Sequence, residues 1–134
     1  MKIIYLGDMS FYEPICSLYL IKGEKLVMID AGPSTTFQQV LKALRDKGVK
    51  LDYIIVTHPH LDHSGSTPLL LREMDKTKAI IYHTGLKHFL HPEALLASAK
   101  EVLGEAFSYM GGIEPIKEDL IIPVKDEEEL NFGD

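Results

Sequence analysis

Two short runs constrain this chain more than anything else in it. Asp52-Tyr53-Ile54-Ile55-Val56-Thr57 and Ala79–Tyr82 are apolar almost throughout and too short to be helices. A strand without polar alternation reads as covered on both faces, which is the pattern of a parallel-sheet interior. Such a sheet needs helices packed on it, and the intervening sequence supplies them. Thr35 and Gln38 fit a capping box, Phe37, Val40, Leu41 and Leu44 repeat at i, i+3, i+4 and i+7, and Gly48 follows the last turn. Thr67-Pro68 opens a second helix through Met74, and His91-Pro92 opens a third to about Leu103. The stripe Leu95, Leu96, Ala99, Val102 and Leu103 is the expected core face of that third helix.

The remaining elements are strands. Ile3–Leu6 is short and β-branched, and Cys16–Ile21 and Leu26–Ile29 flank the polar Lys22-Gly23-Glu24-Lys25 turn of a hairpin. Pro123 makes any strand in the Glu118–Val124 stretch either an edge strand or a broken one. Asp126-Glu127-Glu128-Glu129 reads as a solvated turn. No repeat, low-complexity tract or linker interrupts the 134 residues, so residues 1–134 are expected to belong to one α/β domain.

Charge narrows the function. Fourteen Lys and Arg against twenty Asp and Glu give a net charge of −6. That argues against a nucleic-acid or anionic-membrane partner. The single Cys16 fits a reducing compartment, and no apolar stretch approaches the roughly 18–20 residues that span a bilayer. A soluble cytoplasmic protein acting on a small molecule is the expectation.

The chemistry concentrates after the first buried strand. His58, His60 and His63 are three of the chain's six histidines, and they fall within six residues beside Asp62. Imidazoles and a carboxylate this dense would repel on protonation unless something offsets them, and they are the ligands of zinc, and also of iron or manganese. Residues i and i+2 of an extended segment project to one side, so His58 and His60 can share an ion. The turn toward Gly65 lets Asp62 and His63 serve a second ion. Two such ions would hold a hydroxide for hydrolysis.

Thr57-His58-Pro59-His60-Leu61-Asp62-His63-Ser64-Gly65 resembles the signature loop of the metallo-β-lactamase fold superfamily. The likeness extends upstream through Val27-Met28-Ile29-Asp30-Ala31-Gly32 and downstream through Tyr82-His83-Thr84-Gly85, which looks like glyoxalase II-like hydrolases. The resemblance implies His58 and His60 at a first metal, Asp62 and His63 at a second, and two zinc ions in a complete domain. It implies a four-layer αββα sandwich. Against it, the chain has no Gly-His dipeptide for the later ligands the family uses, and Leu130-Asn131-Phe132-Gly133-Asp134 looks like the hairpin before that element. By the resemblance the chain is the N-terminal half of the domain, a mixed sheet with helices on one outer face. It is expected to need the rest of the domain or a homo-oligomeric partner.

The implied activity is hydrolysis of a thioester, lactone or similar carbonyl ester, with Asp62 binding metal and accepting a proton. A mononuclear iron persulfide dioxygenase, or an inactive partner or truncated relic, are the alternatives. Asp30 is either a carboxylate behind the ligand histidines or a turn cap before Gly32-Pro33. Thr57 reads as a strand-end hydroxyl. His83 could line the pocket, although a lone strand-end histidine is more often structural; His88 and His91 are weaker metal candidates. Phe11 and Tyr12 read as an ordinary exposed loop, and Cys16 as core.

Overall fold

The computed structural model describes residues 1–10 and 14–133; Phe11 and Tyr12 lie outside them. Six strands form one sheet in chain order. They are β1 (Lys2–Ser10), β2 (Pro14–Lys22), β3 (Leu26–Ile29), β4 (Tyr53–Val56), β5 (Lys78–Tyr82) and β6 (Ile121–Val124). The pairs β1–β2 and β2–β3 are antiparallel, and β3 through β6 run parallel.

That order decides where the helices go. Each parallel step moves the same way across the sheet, and crossovers between parallel strands are right-handed. Every connecting helix therefore lands on the same face. The first connection carries α1 (Phe37–Asp46), and the second carries α2 (Leu61–Ser64) and α3 (Thr67–Glu73). The third carries α4 (Leu86–Leu90), α5 (Glu93–Leu103) and α6 (Phe107–Met110).

The strand registers show the consequence. Ile4, Leu20, Met28, Ile54, Ala79 and Ile121 lie in one row across all six strands, and all pack in the helix-covered core. The row behind it is Tyr5, Tyr19, Ile29, Ile55, Ile80 and Ile122, none of which joins that core. Tyr5 and Tyr19 are 50% and 45% exposed, while Ile80 is buried. Phe132 tilts onto Tyr53 at 5.4 Å between ring centroids and partly covers this side.

Three sequence expectations need correction. The Asp52–Thr57 run is a strand only over Tyr53–Val56, and it alternates: Ile54 and Val56 are buried, Tyr53 and Ile55 half-buried, because their side of the sheet has no helix. The capping box does not form, since Thr35 Oγ1 instead donates to the Tyr109 carbonyl at 2.6 Å and a short 3-10 turn, Ser34–Thr36, precedes α1. The α5 stripe is core only in part: Leu95, Leu96 and Ala99 are half-buried against the core, Leu103 is half-buried, and Val102 is 80% exposed. The short helices α4 and α6 escaped the periodicity reading because each is about one turn long. The edge position of β6, bearing Pro123, is as the sequence indicates.

Candidate metal centre

The His-rich loop leaves the C-terminal end of β4 and turns at once into α2. Such strand ends are where open α/β sheets place ligands. The turn is tied from below: Ala31 and Gly32 N–H both donate to the His63 carbonyl, at 2.9 and 3.2 Å, and Ser66 N–H donates to the Gly32 carbonyl at 2.8 Å. Close packing here demands glycine. A Cβ on Gly65 would stand 2.6 Å from the Ser34 nitrogen and 2.9 Å from the Leu61 carbonyl oxygen.

Asp30 is the hub. It ends β3 with φ +55°, in the left-handed region that non-glycine residues rarely adopt. One carboxylate oxygen accepts the Thr57 N–H at 2.8 Å; the other accepts the Thr57 hydroxyl at 2.7 Å and lies 2.9 Å from His63 Nδ1. Thr57 Oγ1 in turn lies 2.9 Å from His58 Nδ1.

Proton counting along this chain fixes both rings. The carboxylate only accepts, so His63 Nδ1–H donates to it. The single Thr57 hydroxyl hydrogen is also given to Asp30, so Thr57 Oγ1 must accept from His58 Nδ1–H. In their neutral forms both imidazoles therefore present Nε2 as a bare lone pair. Thr57, read from sequence as an incidental strand-end hydroxyl, is the residue that the sequence analysis missed. Its position directly before the first histidine of the loop was the available signal.

The three rings crowd together. His58 stands 4.1 Å from His63 and 4.9 Å from His60 between centroids, and His63 Nε2 lies 3.2 Å from Asp62 Oδ2. With the Nδ1 proton committed to Asp30, that last contact sets a lone pair against a carboxylate. The two atoms stand where one ion could take both, and the donor set of imidazole and carboxylate suits a borderline divalent ion. Among the described residues, no group of three His, Cys, Asp or Glu side chains is yet disposed as a ready-made metal site.

Other candidates lie further out. His83 is exposed at the end of β5, with its ring against Tyr82 at 4.7 Å. The ring contacts of the described residues join His58 to His60 and His63, and His83 to Tyr82, while His88 and His91 lie on and just after α4. Cys16 is half-buried beside Asp30, Asp62 and His63, at the rim of a shared cavity. Burial first, and then the charges of Asp62, Asp30 and Asp8, push its thiol up to about 11. A thiol so raised is a poor nucleophile.

Comparison with known proteins agrees with this geometry. The family model of the metallo-beta-lactamase superfamily matches residues 11–134. A metallo-beta-lactamase fold-containing protein of Sulfurisphaera tokodaii is 39% identical over 133 residues, covering 95% of this chain and 48% of the relative. A probable metallo-hydrolase of Methanocaldococcus jannaschii is 35% identical over 114 residues, covering 84% and 50%. A hydroxyacylglutathione hydrolase of a Synechococcus species is 39% identical over 51 residues, covering 38% and 19%. The crystal structure of an archaeal superfamily protein from Sulfolobus tokodaii superposes with a TM-score of 0.78 at 35% identity, over 98% of this chain and 51% of that one. The chain thus spans about half the length of the relatives it matches most fully, and its one six-stranded sheet with its helices matches about half of the solved archaeal structure. With the loop, the sheet order and the family model in agreement, the chain belongs to the metallo-beta-lactamase superfamily.

Proposed function

We propose that this chain carries the first sheet and the metal-binding loop of a metal-dependent hydrolase acting on a thioester, lactone or similar small carbonyl ester. The observation that carries the reading is the 3.2 Å approach of His63 Nε2 to Asp62 Oδ2, behind which Asp30 holds the ring's other nitrogen. A hydroxyacylglutathione hydrolase among the relatives supports attack on an acyl group.

His58 and His60 would hold a first ion, and Asp62 and His63 a second; zinc suits this donor set best, with iron or manganese as substitutes. When bound, such ions supply hydroxide at neutral pH and polarise a carbonyl. The chain's own contribution is orientation. Asp30 and Thr57 set the tautomers of His63 and His58, and Asp62 is placed to accept a proton at its carboxylate. Further ligands would come from the rest of the domain or from a second copy, which would also cover the row of Tyr5 and Tyr19.

The test is metal analysis of the purified protein together with a panel of thioesters, lactones and β-lactams. Bound zinc with thioester or lactone turnover is expected. His60→Ala should lose both while keeping its circular dichroism, because the exposed His60 ring is no part of the core. One iron per chain with persulfide oxidation and no ester hydrolysis would overturn the reading.

A further inference from the structure

The apolar stripe of α5 is only partly used by the core: Leu95 and Ala99 pack on it, while Val102 stands open. Leu95, Ala99, Val102 and Leu103 recur at i, i+4, i+7 and i+8 on α5, yet none is fully buried. At 1.5 Å of rise per residue the stripe is about 12 Å long. It does not face open water everywhere. It lines a cleft of about 370 Å³ together with Met110 and with His60, Leu61 and Asp62 of the histidine loop. The cleft is therefore polar where His60 and Asp62 stand and apolar over the rest of its lining apart from Ser98. A concave, mostly apolar site with a few convergent polar groups is the form of a small-molecule pocket.

We infer that this cleft binds the unbranched aliphatic chain of an acyl substrate, so that the scissile carbonyl lies at His60 and Asp62 and the tail runs along α5 toward Val102. The substrate class is then a medium-chain acyl thioester or ester. In the reaction a C–O bond forms from water to the acyl carbon and the C–S or C–O bond to the leaving group breaks. One water proton ends on the leaving thiol or alcohol and the fatty acid is released. The reaction rests on the hydrolase reading above; the seating of the chain does not.

Geometry favours a chain over a bulkier group. Leu95, Ala99, Val102, Leu103 and Met110 offer a tail no polar partner, and Ala99, the smallest of them, leaves room along the stripe for an aliphatic chain. Each methylene buried there contributes about 0.8 kcal/mol, or roughly fourfold in kcat/KM.

The experiment has two arms, both on zinc-loaded protein. In the first, acetyl, butyryl, hexanoyl and octanoyl thioesters of N-acetylcysteamine are compared. kcat/KM should rise by about threefold to fourfold per methylene while the chain remains in the cleft. Val102→Asp, at a position 80% exposed and so tolerant of charge, should collapse the octanoyl preference, as should Ala99→Trp by filling the groove. In the second arm, 1-octanol is titrated into protein carrying methyl-13C methionine. The Met110 resonance should shift saturably, and in Val102→Asp it should not. A flat chain-length profile with an unmoved Met110 overturns the inference and leaves the hydrolase standing. A saturable Met110 shift with no thioester hydrolysed supports the cleft and overturns the hydrolase reading instead.

Discussion

Asp30 and His63, 33 residues apart in the chain, meet at 2.9 Å through Oδ2 and Nδ1, and the same carboxylate oxygen also takes the Thr57 hydroxyl. Asp30 also keeps a left-handed backbone at φ +55°, where asparagine is tolerated as well as aspartate. Asp30→Asn should therefore preserve the fold while putting an amide where a charged acceptor stood. We expect metal affinity to fall by about 10–100-fold, the usual loss when a group behind a ligand is removed. Competition with a chromogenic chelator measures it. Unchanged affinity would remove Asp30 from the site.

His63 Nε2 and Asp62 Oδ2 are 3.2 Å apart, placed to hold one ion together, and such ligands bind a metal only when deprotonated. Metal uptake should accordingly release protons and strengthen as pH rises. Titration in weakly buffered solution reads the release directly. Asp62→Asn, which exchanges a carboxylate for a neutral amide, should weaken metal uptake, and unchanged affinity would count against the pairing.

Gly65→Ala should destabilise the protein by about 1–3 kcal/mol, as overpacking in a closed site does. The added Cβ would press on backbone, the Ser34 nitrogen at 2.6 Å and the Leu61 carbonyl at 2.9 Å, which cannot swing away as a side-chain tip would. Denaturant unfolding measures the change. Metal affinity should fall with it, because the same contact clamps the loop.

Cys16 should alkylate slowly at neutral pH. Its thiol is raised to about 11 by burial and then by Asp62, Asp30 and Asp8, so the reactive thiolate is scarce until strongly alkaline pH. Neutralising Asp62 or Asp30 by the asparagine substitution removes one raising charge. The alkylation profile of metal-free protein should then move to lower pH. Iodoacetamide kinetics followed by mass spectrometry show whether it does.

Much of this architecture was legible because the relevant signals are local. Lys22-Gly23-Glu24-Lys25 announces its hairpin, Gly48 its helix end, and Pro123 its edge strand. The dense histidines of the loop were equally plain. What could not be read is what depends on partners far along the chain. Thr35 lost its cap role to the Tyr109 carbonyl, 74 residues away, and Thr57 gained its role from Asp30, 27 residues away. The α5 stripe shows a different limit: periodicity states which residues share a helix face, while burial depends on whether another element arrives to cover it.

The unbroken strand order β1 to β6 bears on how the chain is made as well as on its shape. Each strand docks on the one synthesised just before it, so no strand waits for a later one to hold its place. Short-range docking keeps loop closures short and avoids the slow search that distant pairings impose. On a ribosome the sheet can lengthen strand by strand. Once β4 and α2 have emerged, Asp30, Thr57 and His63 are all available to one another. The ligand loop can thus be oriented before β5, β6 and the cleft wall of α5 exist.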